Sequence, residues 1–291
     1  KGKAVVNLIQ LQPDEKIKAI IPTTDFDESK SLAFFTKNGI VKRTNLSEFK
    51  NIRSVGVRAI SLDENDELVT ALIAQTYDDM PVTDPENELS VETEVLEVEE
   101  LQNEIDEDNV NAEEDANSGD ETMLFVVTKK GMCLKFKISK VRQMGRTARG
   151  VTGIKFKEPG DEVVGAAVIE SNDQEILSIS QKGIGKRTTA DEYRLTNRGG
   201  KGVICMKLTS RTGDLVGVVM VDEEQDLMAL TSSGKMIRVD MQSIRKAGRN
   251  TSGVIVVNVD GDDVVSIARC PKADDGEDED EAPSEDMGLL E

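Results

Sequence analysis

Apolar residues recur along the chain in short runs of about five, each followed by a glycine turn and a second short run. Two such runs joined by a tight turn containing Gly are typical of a β-hairpin. The same unit occurs four times, with turn glycines at Gly39, Gly131, Gly183 and Gly234. The predicted strand pairs are Leu32–Thr36 with Ile40–Thr44, Met123–Thr128 with Met132–Lys137, Glu175–Ser180 with Ile184–Thr188, and Leu227–Thr231 with Lys235–Val239.

Each predicted hairpin is followed by the same sequence of further features. A short amphipathic link leads to a basic loop that ends in a second glycine, then a third strand, an acidic turn and a fourth strand. The links are Leu46–Phe49, Ile138–Val141, Ala190–Tyr193 and Met241–Ile244; the second glycines are Gly56, Gly150, Gly202 and Gly253; the acidic turns are Asp66-Glu67, Asp161-Glu162, Gly213-Asp214 and Asp262-Asp263.

The repeat length indicates the fold class. Gly131, Gly183 and Gly234 are spaced by 52 and 51 residues. Four strands per roughly 50 residues, repeated, predict an all-β, propeller-like array of four-stranded blades. A linear β-solenoid is the alternative, but long connections between hairpins fit blades better. Residues 1–22 contain only the second half of a repeat, with predicted strands Ala4–Leu11 and Lys16–Ile21, so we expect the sequence to begin within a repeat.

Two acidic segments interrupt this pattern. Residues 78–121 contain 19 acidic and no basic residues, and residues 271–291 contain 10 acidic residues and one Lys. The first segment explains why Gly39 and Gly131 are 92 residues apart. Chains of this composition cannot bury enough apolar surface to order themselves, so we predict disorder in both, with a short helix over Glu94–Glu107 as a further option. The predicted domain is 1–270 with insertion 78–121, followed by tail 271–291.

Charge is distributed unevenly between these segments and the body of the chain. The formal net charge is −20, but without the two segments 27 acidic and 35 basic residues remain, a net charge of +8. Two positions are basic in every repeat, one in the second hairpin strand and one in the basic loop. The first set is Arg43, Lys135, Arg187 and Arg238, and the second set is Arg53, Arg146, Arg198 and Arg249.

Equivalent positions on repeated blades predict a basic belt around the perimeter. Such a belt suits a bent duplex held by its phosphates, with sequence-tolerant, salt-dependent binding. The loop Thr196–Val203, with three glycines, could bind phosphate through backbone N–H groups. Alternatively, these glycines only allow the chain to turn, and the matched basic residues only keep the outer strands solvated. The predicted DNA-binding residues are Lys42, Arg43, Arg53, Lys135, Lys137, Arg142, Arg146, Arg149, Lys186, Arg187, Arg194, Arg198, Gly199, Gly200, Lys201, Gly202, Arg238, Arg245 and Arg249.

Composition argues against several other classes of function. The sequence has no His, so the commonest general base and metal ligand is missing, and we predict neither a catalytic nor a metal site. Tyr193 occupies the repeat position of Phe49, Val141 and Ile244, which predicts a packing role. Three unclustered cysteines, Cys133, Cys205 and Cys270, favour a reducing cytoplasm over disulfides or zinc. No apolar run of about 18 residues is present, so we predict no membrane span.

The repeat resembles the C-terminal β-pinwheel domain of the A protein of DNA gyrase, a bacterial type IIA topoisomerase. The resemblance rests on Phe35–Thr44, Asn45–Phe49, Gly183–Thr188 and Val239–Ile255, and it covers residues 1–77 and 122–270. It implies a six-bladed pinwheel that wraps double-stranded DNA and supports negative supercoiling. It also implies an A2B2 assembly with the gyrase B protein in the bacterial cytoplasm and nucleoid. ATP and Mg²⁺ would act elsewhere in that enzyme, and this domain would need no cofactor.

One motif of the family is only partly present. The gyrase A box reads Gln-Arg-Arg-Gly-Gly-Lys-Gly, and here Arg198–Gly202 match its last five positions, whereas Thr196 and Asn197 replace Gln and Arg. By repeat count, the resemblance places the family's own box, and a first blade, before residue 1. Two alternatives remain open at this point: the equivalent domain of topoisomerase IV, and a protein-interaction propeller whose acidic insertion recruits a basic partner.

Overall fold

The computed structural model describes residues 15–51, 56–76 and 122–272, and these residues form four antiparallel sheets, here called blades A to D. Blade A contains β1 (Lys30–Thr36), β2 (Ile40–Asn45), β3 (Leu68–Gln75) and β6 (Val151–Thr152). Blade B contains β4 (Met123–Thr128), β5 (Met132–Lys137), β7 (Val163–Ile169) and β10 (Val203–Ile204). Blade C contains β8 (Glu175–Ser180), β9 (Ile184–Thr189), β11 (Leu215–Met220) and β14 (Val254–Ile255). Blade D contains β12 (Gln225–Thr231), β13 (Met236–Asp240) and β15 (Val264–Pro271).

The predicted all-β, propeller-like fold and its four hairpins are confirmed. The four hairpins are β1-β2, β4-β5, β8-β9 and β12-β13. In each blade the later strand (β3, β7, β11 or β15) pairs with the first strand of the hairpin, on the side away from the second strand. Each of the four predicted links contains a short 3-10 turn that covers all or most of its residues. These turns are Leu46–Phe49, Ile138–Lys140, Ala190–Glu192 and Met241–Ser243.

Four predictions about the remaining segments have two outcomes. The predicted strand Lys16–Ile21 is wrong, because residues 16–21 form no strand in the structure. The predicted strand Ala4–Leu11, the insertion 78–121 with its optional helix Glu94–Glu107, and all of the tail after Lys272 lie outside the described residues.

The short third strand of the second, third and fourth repeats belongs to the preceding blade, whereas the third strand predicted after Gly56 in the first repeat is wrong, because residues 56–67 form no strand. Strand β6 comes from the second repeat but pairs with β2 of blade A, through Thr152 opposite Ile40. Strands β10 and β14 pair in the same way with β5 and β9. The interpretation of one repeat as one complete blade is therefore wrong for this strand, because the link and basic loop carry the chain across to the neighbouring blade. Among the described residues, blade D has three strands.

The apolar core lies between neighbouring blades. Phe35, Leu124, Phe136 and Ile154 form part of the cluster between blades A and B, and equivalent clusters fill the other two interfaces. Tyr193 is buried between blades B and C, with its ring centroid 4.7 Å from that of Phe125, which agrees with the predicted packing role. Because blades B and C each pack against a blade on both faces, side chains on both sides of their strands can be buried.

The hairpin turns hold the next blade through the acidic turns. Lys37 Nζ lies 3.1 Å from Glu162 Oε2, Lys130 Nζ lies 3.1 Å from Asp214 Oδ1, and Lys182 pairs with Asp263. Within each blade, the acidic turn also accepts a hydrogen bond from the hairpin turn, as from Lys130 N to Asp161 Oδ1 at 2.9 Å. These recurring carboxylates therefore have a structural role.

Candidate nucleic-acid interface

Three basic loops lie along the outer edges of the blades. We define them as the second loop (142–150), the third loop (194–202) and the fourth loop (245–253). Each runs beside the second hairpin strand of the preceding blade. One backbone hydrogen bond recurs at each place, at 2.9 Å in every case: Met144 N to Arg43 O, Thr196 N to Lys135 O, and Ala247 N to Arg187 O. In the first repeat, residues 52–55, including the predicted ligand Arg53, lie outside the described part of the chain.

The loops are joined to one another through the segments that follow their second glycines. Lys155 N donates to Gly200 O at 2.9 Å, and Gly199 N donates to Gly153 O at 2.6 Å, which ties the third loop to the chain leaving the second. Lys207 N donates to Thr251 O at 3.1 Å, which ties the fourth loop to the chain leaving the third. The three loops therefore form one continuous band along the perimeter, here called the loop band.

Two matched arginine positions recur within the loop band. Arg142, Arg194 and Arg245 are exposed at the start of the loops, and Arg146, Arg198 and Arg249 follow at the same offset within each loop. Arg149 and Lys201 are exposed near the second glycines. Successive blades thus present cations at equivalent places.

The second set of arginines rests on the preceding repeat. Arg146 Nη1 donates to Glu48 O at 3.3 Å, and Arg198 Nε donates to Lys140 O at 2.9 Å. Arg198 Nη1 and Arg249 Nη1 donate to the equivalent carbonyls of Thr152 and Ile204, at 3.1 and 3.2 Å. A guanidinium carries five N–H donors, so these contacts orient each head group and leave donors for an anion.

Several cations predicted as DNA ligands are buried instead. Lys42 and Lys186 are 0% exposed, and Arg43 and Lys135 are 4% exposed. The expectation that these four side chains lie on the surface is wrong, because neighbouring blades, links and loops cover the hairpin strands. Arg187 is half-buried and ion-paired with Glu175, and Lys137 is half-buried at the end of β5. Arg238 is exposed and pairs with Asp226 at 2.6 Å.

The buried cations contact backbone carbonyls, all of them in the following repeat except that of Ala59. Lys42 Nζ donates to Arg146 O and to Ala59 O, both at 2.6 Å. Lys186 Nζ donates to Gly248 O at 2.7 Å and to Arg249 O at 2.5 Å. Lys135 Nζ donates to Ala190 O at 2.7 Å, and Arg187 Nε donates to Ile244 O at 2.7 Å. They hold the links and loops that carry the exposed cations.

Burial changes the proton affinity of these lysines. Desolvation disfavours the charged ammonium and lowers the pKa of Lys42 and of Lys186 to about 8. It also lowers the pKa of Lys135. The loss of hydration is offset in part by the charge-assisted hydrogen bonds to carbonyl oxygens described above.

The glycine-rich third loop owes part of its composition to close backbone approach. Gly199 and Gly202 have φ of +79° and +73°, in the left-handed region that favours glycine. A Cβ atom on Gly202 would lie 2.2 Å from Cys133 O, because β10 runs directly against β5. Gly202 therefore serves the strand exchange, and phosphate binding by Gly199, Gly200 and Gly202 stays a prediction.

Two exposed lysines beside the loop band were missed by the sequence reasoning. Lys155 and Lys207 both lie five residues after a second glycine, and both are exposed beside the following loop. Extending the repeat alignment beyond the third strand would have identified them as a further matched pair of cations. Their backbone N–H groups are the donors that join neighbouring loops.

Other kinds of site find no support in the described residues. They contain no cluster of three or more His, Cys, Asp or Glu side chains able to hold a metal ion. Within the same residues, no helix is long and apolar enough to cross a membrane.

The four repeats match a known family. The family model described as the DNA gyrase C-terminal domain, a beta-propeller, matches residues 30–75, 122–170, 174–222 and 225–271. The chain belongs to this family. It is 71% identical over 295 residues to the DNA gyrase A protein of Campylobacter fetus, a match that covers 99% of this chain and 32% of that protein. It is 47% identical to the gyrase A protein of Helicobacter pylori (95% and 28% covered) and 36% identical to that of Escherichia coli (96% and 27% covered).

Solved structures show the same gyrase-type fold. A DNA gyrase A C-terminal domain superposes with a TM-score of 0.69 at 22% identity, covering 92% of this chain and 75% of that one. The C-terminal domain of a DNA topoisomerase IV gives a TM-score of 0.70 at 23% identity, covering 93% and 71%. The predicted resemblance to the gyrase A protein is confirmed by the family match and its curated relatives. The chain spans about a third of the length of those relatives.

Proposed function

We propose that this domain binds duplex DNA along the loop band and wraps it around the blade perimeter, which supports negative supercoiling by the intact gyrase. The observation that carries the proposal is the recurrence of two exposed or half-exposed arginines at matched places on three successive loops, Arg142 and Arg146 being the first such pair. Hydrogen bonds between neighbouring loops make these cations one continuous track. A track of this kind fits a polyanion that curves past several blades.

The loop cations act by neutralising phosphates. Duplex DNA carries one negative charge per roughly 1.7 Å of helix axis, and each neutralised phosphate releases condensed counterions. Bending a site of 20–30 bp costs of order 1–6 kcal/mol, and contacts on successive blades offset that cost. Aromatic residues make up only 3% of the sequence, which leaves little for base stacking. Binding is therefore sequence-tolerant, with DNA deformability as the source of any preference.

The domain serves this purpose without chemistry of its own. DNA cleavage and ATP hydrolysis with Mg²⁺ belong to other parts of the enzyme, the latter to the gyrase B protein in an A2B2 assembly. The domain itself needs no cofactor and works in the bacterial cytoplasm at the nucleoid. These assignments follow from membership of the gyrase A family, whose full-length members are about three times as long as this chain.

A salt titration of DNA binding tests the proposal. The plot of log K against log[salt] for a 40-bp duplex should be linear and steep, with a slope of about −0.9 per phosphate neutralised. The triple variant Arg142→Gln/Arg194→Gln/Arg245→Gln should bind DNA more weakly. Its slope should be shallower by roughly the amount that three phosphate contacts contribute. A flat plot for the wild-type chain would reject DNA wrapping and favour the protein-interaction alternative.

The hairpin-turn lysines offer a matched control. Lys37, Lys130 and Lys182 also recur on successive blades, but each is ion-paired with the acidic turn of the next blade. The triple variant Lys37→Gln/Lys130→Gln/Lys182→Gln removes the same charge from the molecule. Its salt slope should stay near the wild-type value, since exposed ion pairs contribute little to stability and these lysines lie outside the loop band.

A further inference from the structure

Two buried lysines contact the backbone of a loop arginine at equivalent places. Lys42 reaches across from blade A to Arg146 O in the second loop, and Lys186 reaches across from blade C to Arg249 O in the fourth loop. Arg146 and Arg249 themselves occupy matched positions in the loop band. Each lysine also donates to a second carbonyl, so its ammonium is held between two backbone groups. The contact from a buried lysine to the carbonyl of a loop arginine therefore occurs twice, whereas the second acceptor is Ala59 O outside the loop for Lys42 and Gly248 O within the loop for Lys186.

The third loop provides an internal comparison. The position equivalent to Lys42 and Lys186 in blade B is Leu134, which is 3% exposed. Its methyl group lies 3.5 Å from where a Cβ on Gly200 would stand, so it fills the space by packing against the loop. Blade B thus accepts an apolar side chain where blades A and C bury a charge.

The comparison with Leu134 shows whether blade packing requires Lys42 and Lys186. Burying an ammonium costs free energy, and replacing buried charged groups by well-packed apolar residues is often neutral or stabilising. Leu134 shows that this fold can make that replacement at this position. The lysines in blades A and C are therefore not required by blade packing, and what they contact is the backbone of a loop arginine.

We propose that Lys42 and Lys186 are positioning residues that fix the backbone of Arg146 and Arg249, so that those arginines stand in register for successive DNA phosphates. The inference rests on the proposed function of the loop band. Without the ammonium, the carbonyls of residues 146, 248 and 249 lose a charge-assisted partner, and the loops can shift by a rotation of the peptide units. A shifted loop keeps its charge but presents it out of register.

The variant Lys186→Leu tests the proposal, because it copies the residue that blade B already carries. We expect its melting temperature to equal or exceed that of the wild-type chain. We expect its DNA affinity to fall by about 3- to 10-fold and its salt slope to decrease by about one contact, although Lys186 itself is inaccessible to DNA. Amide hydrogen exchange over 245–253 should become faster, in the absence of DNA as well as in its presence.

The control is Lys182→Leu, which removes the same charge from the hairpin turn of the same blade and should leave DNA affinity and loop exchange unchanged. If Lys186→Leu binds DNA with wild-type affinity and slope, or leaves exchange over 245–253 unchanged, the positioning role is wrong. A lowered melting temperature in both Lys186→Leu and Lys42→Leu would assign the lysines to stability and also overturn the proposal. Failure of the wild-type chain to bind DNA would reject the wrapping function instead, while the exchange measurement would still judge the positioning role.

Discussion

At the scale of single residues, the basic side chains divide into two groups with different environments. The exposed group, such as Arg142 and Arg194, faces solvent on the loop band. The buried group, such as Lys42 and Lys186, lies beneath the loop that follows and donates to backbone carbonyls. In the sequence both groups follow glycines at regular spacing, so a matched basic position does not by itself indicate exposure. What separates them is the rest of the chain, since neighbouring blades and loops cover the hairpin strands and leave the loop arginines uncovered.

Burial of these lysines predicts a pH dependence of stability. Both have a pKa of about 8 in the folded chain, below the usual value near 10.4, so between these values the unfolded chain binds more protons and stability rises with pH. The variant Lys42→Leu/Lys186→Leu lacks this contribution. Its advantage in free energy of unfolding over the wild-type chain should therefore be largest near pH 7 and shrink towards pH 10, as measured by urea denaturation.

The groups that face the two lysines determine how this difference is interpreted. Glu48 faces Lys42, whereas Glu192, Arg249 and the buried thiols of Cys133 and Cys205 face Lys186. To remove any contribution from the thiols, the difference in unfolding free energy between the Lys42→Leu/Lys186→Leu variant and its parent is measured again in a Cys133→Ala/Cys205→Ala background. A free-energy difference that stays constant with pH in both backgrounds would contradict the lowered lysine pKa values.

At the scale of strands and loops, the exchanged strand is what joins one blade to the next. Strands β6, β10 and β14 are two residues long, yet each places a basic loop against the preceding blade. Their close approach depends on the second glycine of each loop. A Cβ atom would lie 2.7 Å from Val41 O at Gly150, 2.2 Å from Cys133 O at Gly202, and 2.3 Å from Gly185 O at Gly253.

Two glycines with similar backbone angles allow this close approach to be tested. Gly202 and Gly234 have φ of +73° and +84°, but a Cβ on Gly234 would meet no atom within 4 Å. Gly234→Ala should cost about 1 kcal/mol of unfolding free energy, from the left-handed conformation alone. Gly202→Ala should cost about 3 kcal/mol, because the added methyl group also forces β10 away from β5. Equal losses in urea denaturation would show that the exchanged strand contributes nothing to stability.

The sequence was sufficient for the hairpins but not for the strand exchange, and the difference is physical. A hairpin such as β4-β5 is specified locally, by two short apolar runs and a turn glycine at Gly131. The pairing of β10 with β5 joins residues about 70 positions apart through two residues, Val203 and Ile204, whose pattern does not identify a partner. The positions of the loop arginines were predictable from their spacing. The burial of Lys42 and Lys186 was not predictable, because it depends on the likewise distant pairing of β6 with β2 and of β14 with β9.

At the scale of the whole molecule, charge of opposite sign is separated along the chain. The loop band and the rest of the body carry the net charge of +8, while residues 78–121 and 271–291 together hold 29 acidic residues. The insertion joins two neighbouring blades, since β3 of blade A precedes it and β4 of blade B follows it. A polyanion tethered to a basic body has a high effective concentration at that body. The acidic segments therefore have the charge needed to compete with DNA for the loop band.

Shortening the insertion tests this competition. Blades B and C are connected by the five residues 170–174, so replacing residues 78–121 by Asn-Asp gives blades A and B a connection of the same length between Gln75 and Met123. We expect this variant to bind duplex DNA more tightly, with the gain largest at low salt, where charges are least screened. The control keeps the insertion at full length but replaces its 19 Asp and Glu residues by Asn and Gln. If competition by charge is the cause, the neutral insertion should tighten binding as much as the short connection does. If only the short connection tightens binding, the insertion obstructs DNA by its volume, and unchanged affinity in both variants would show that the acidic segment does not reach the loop band.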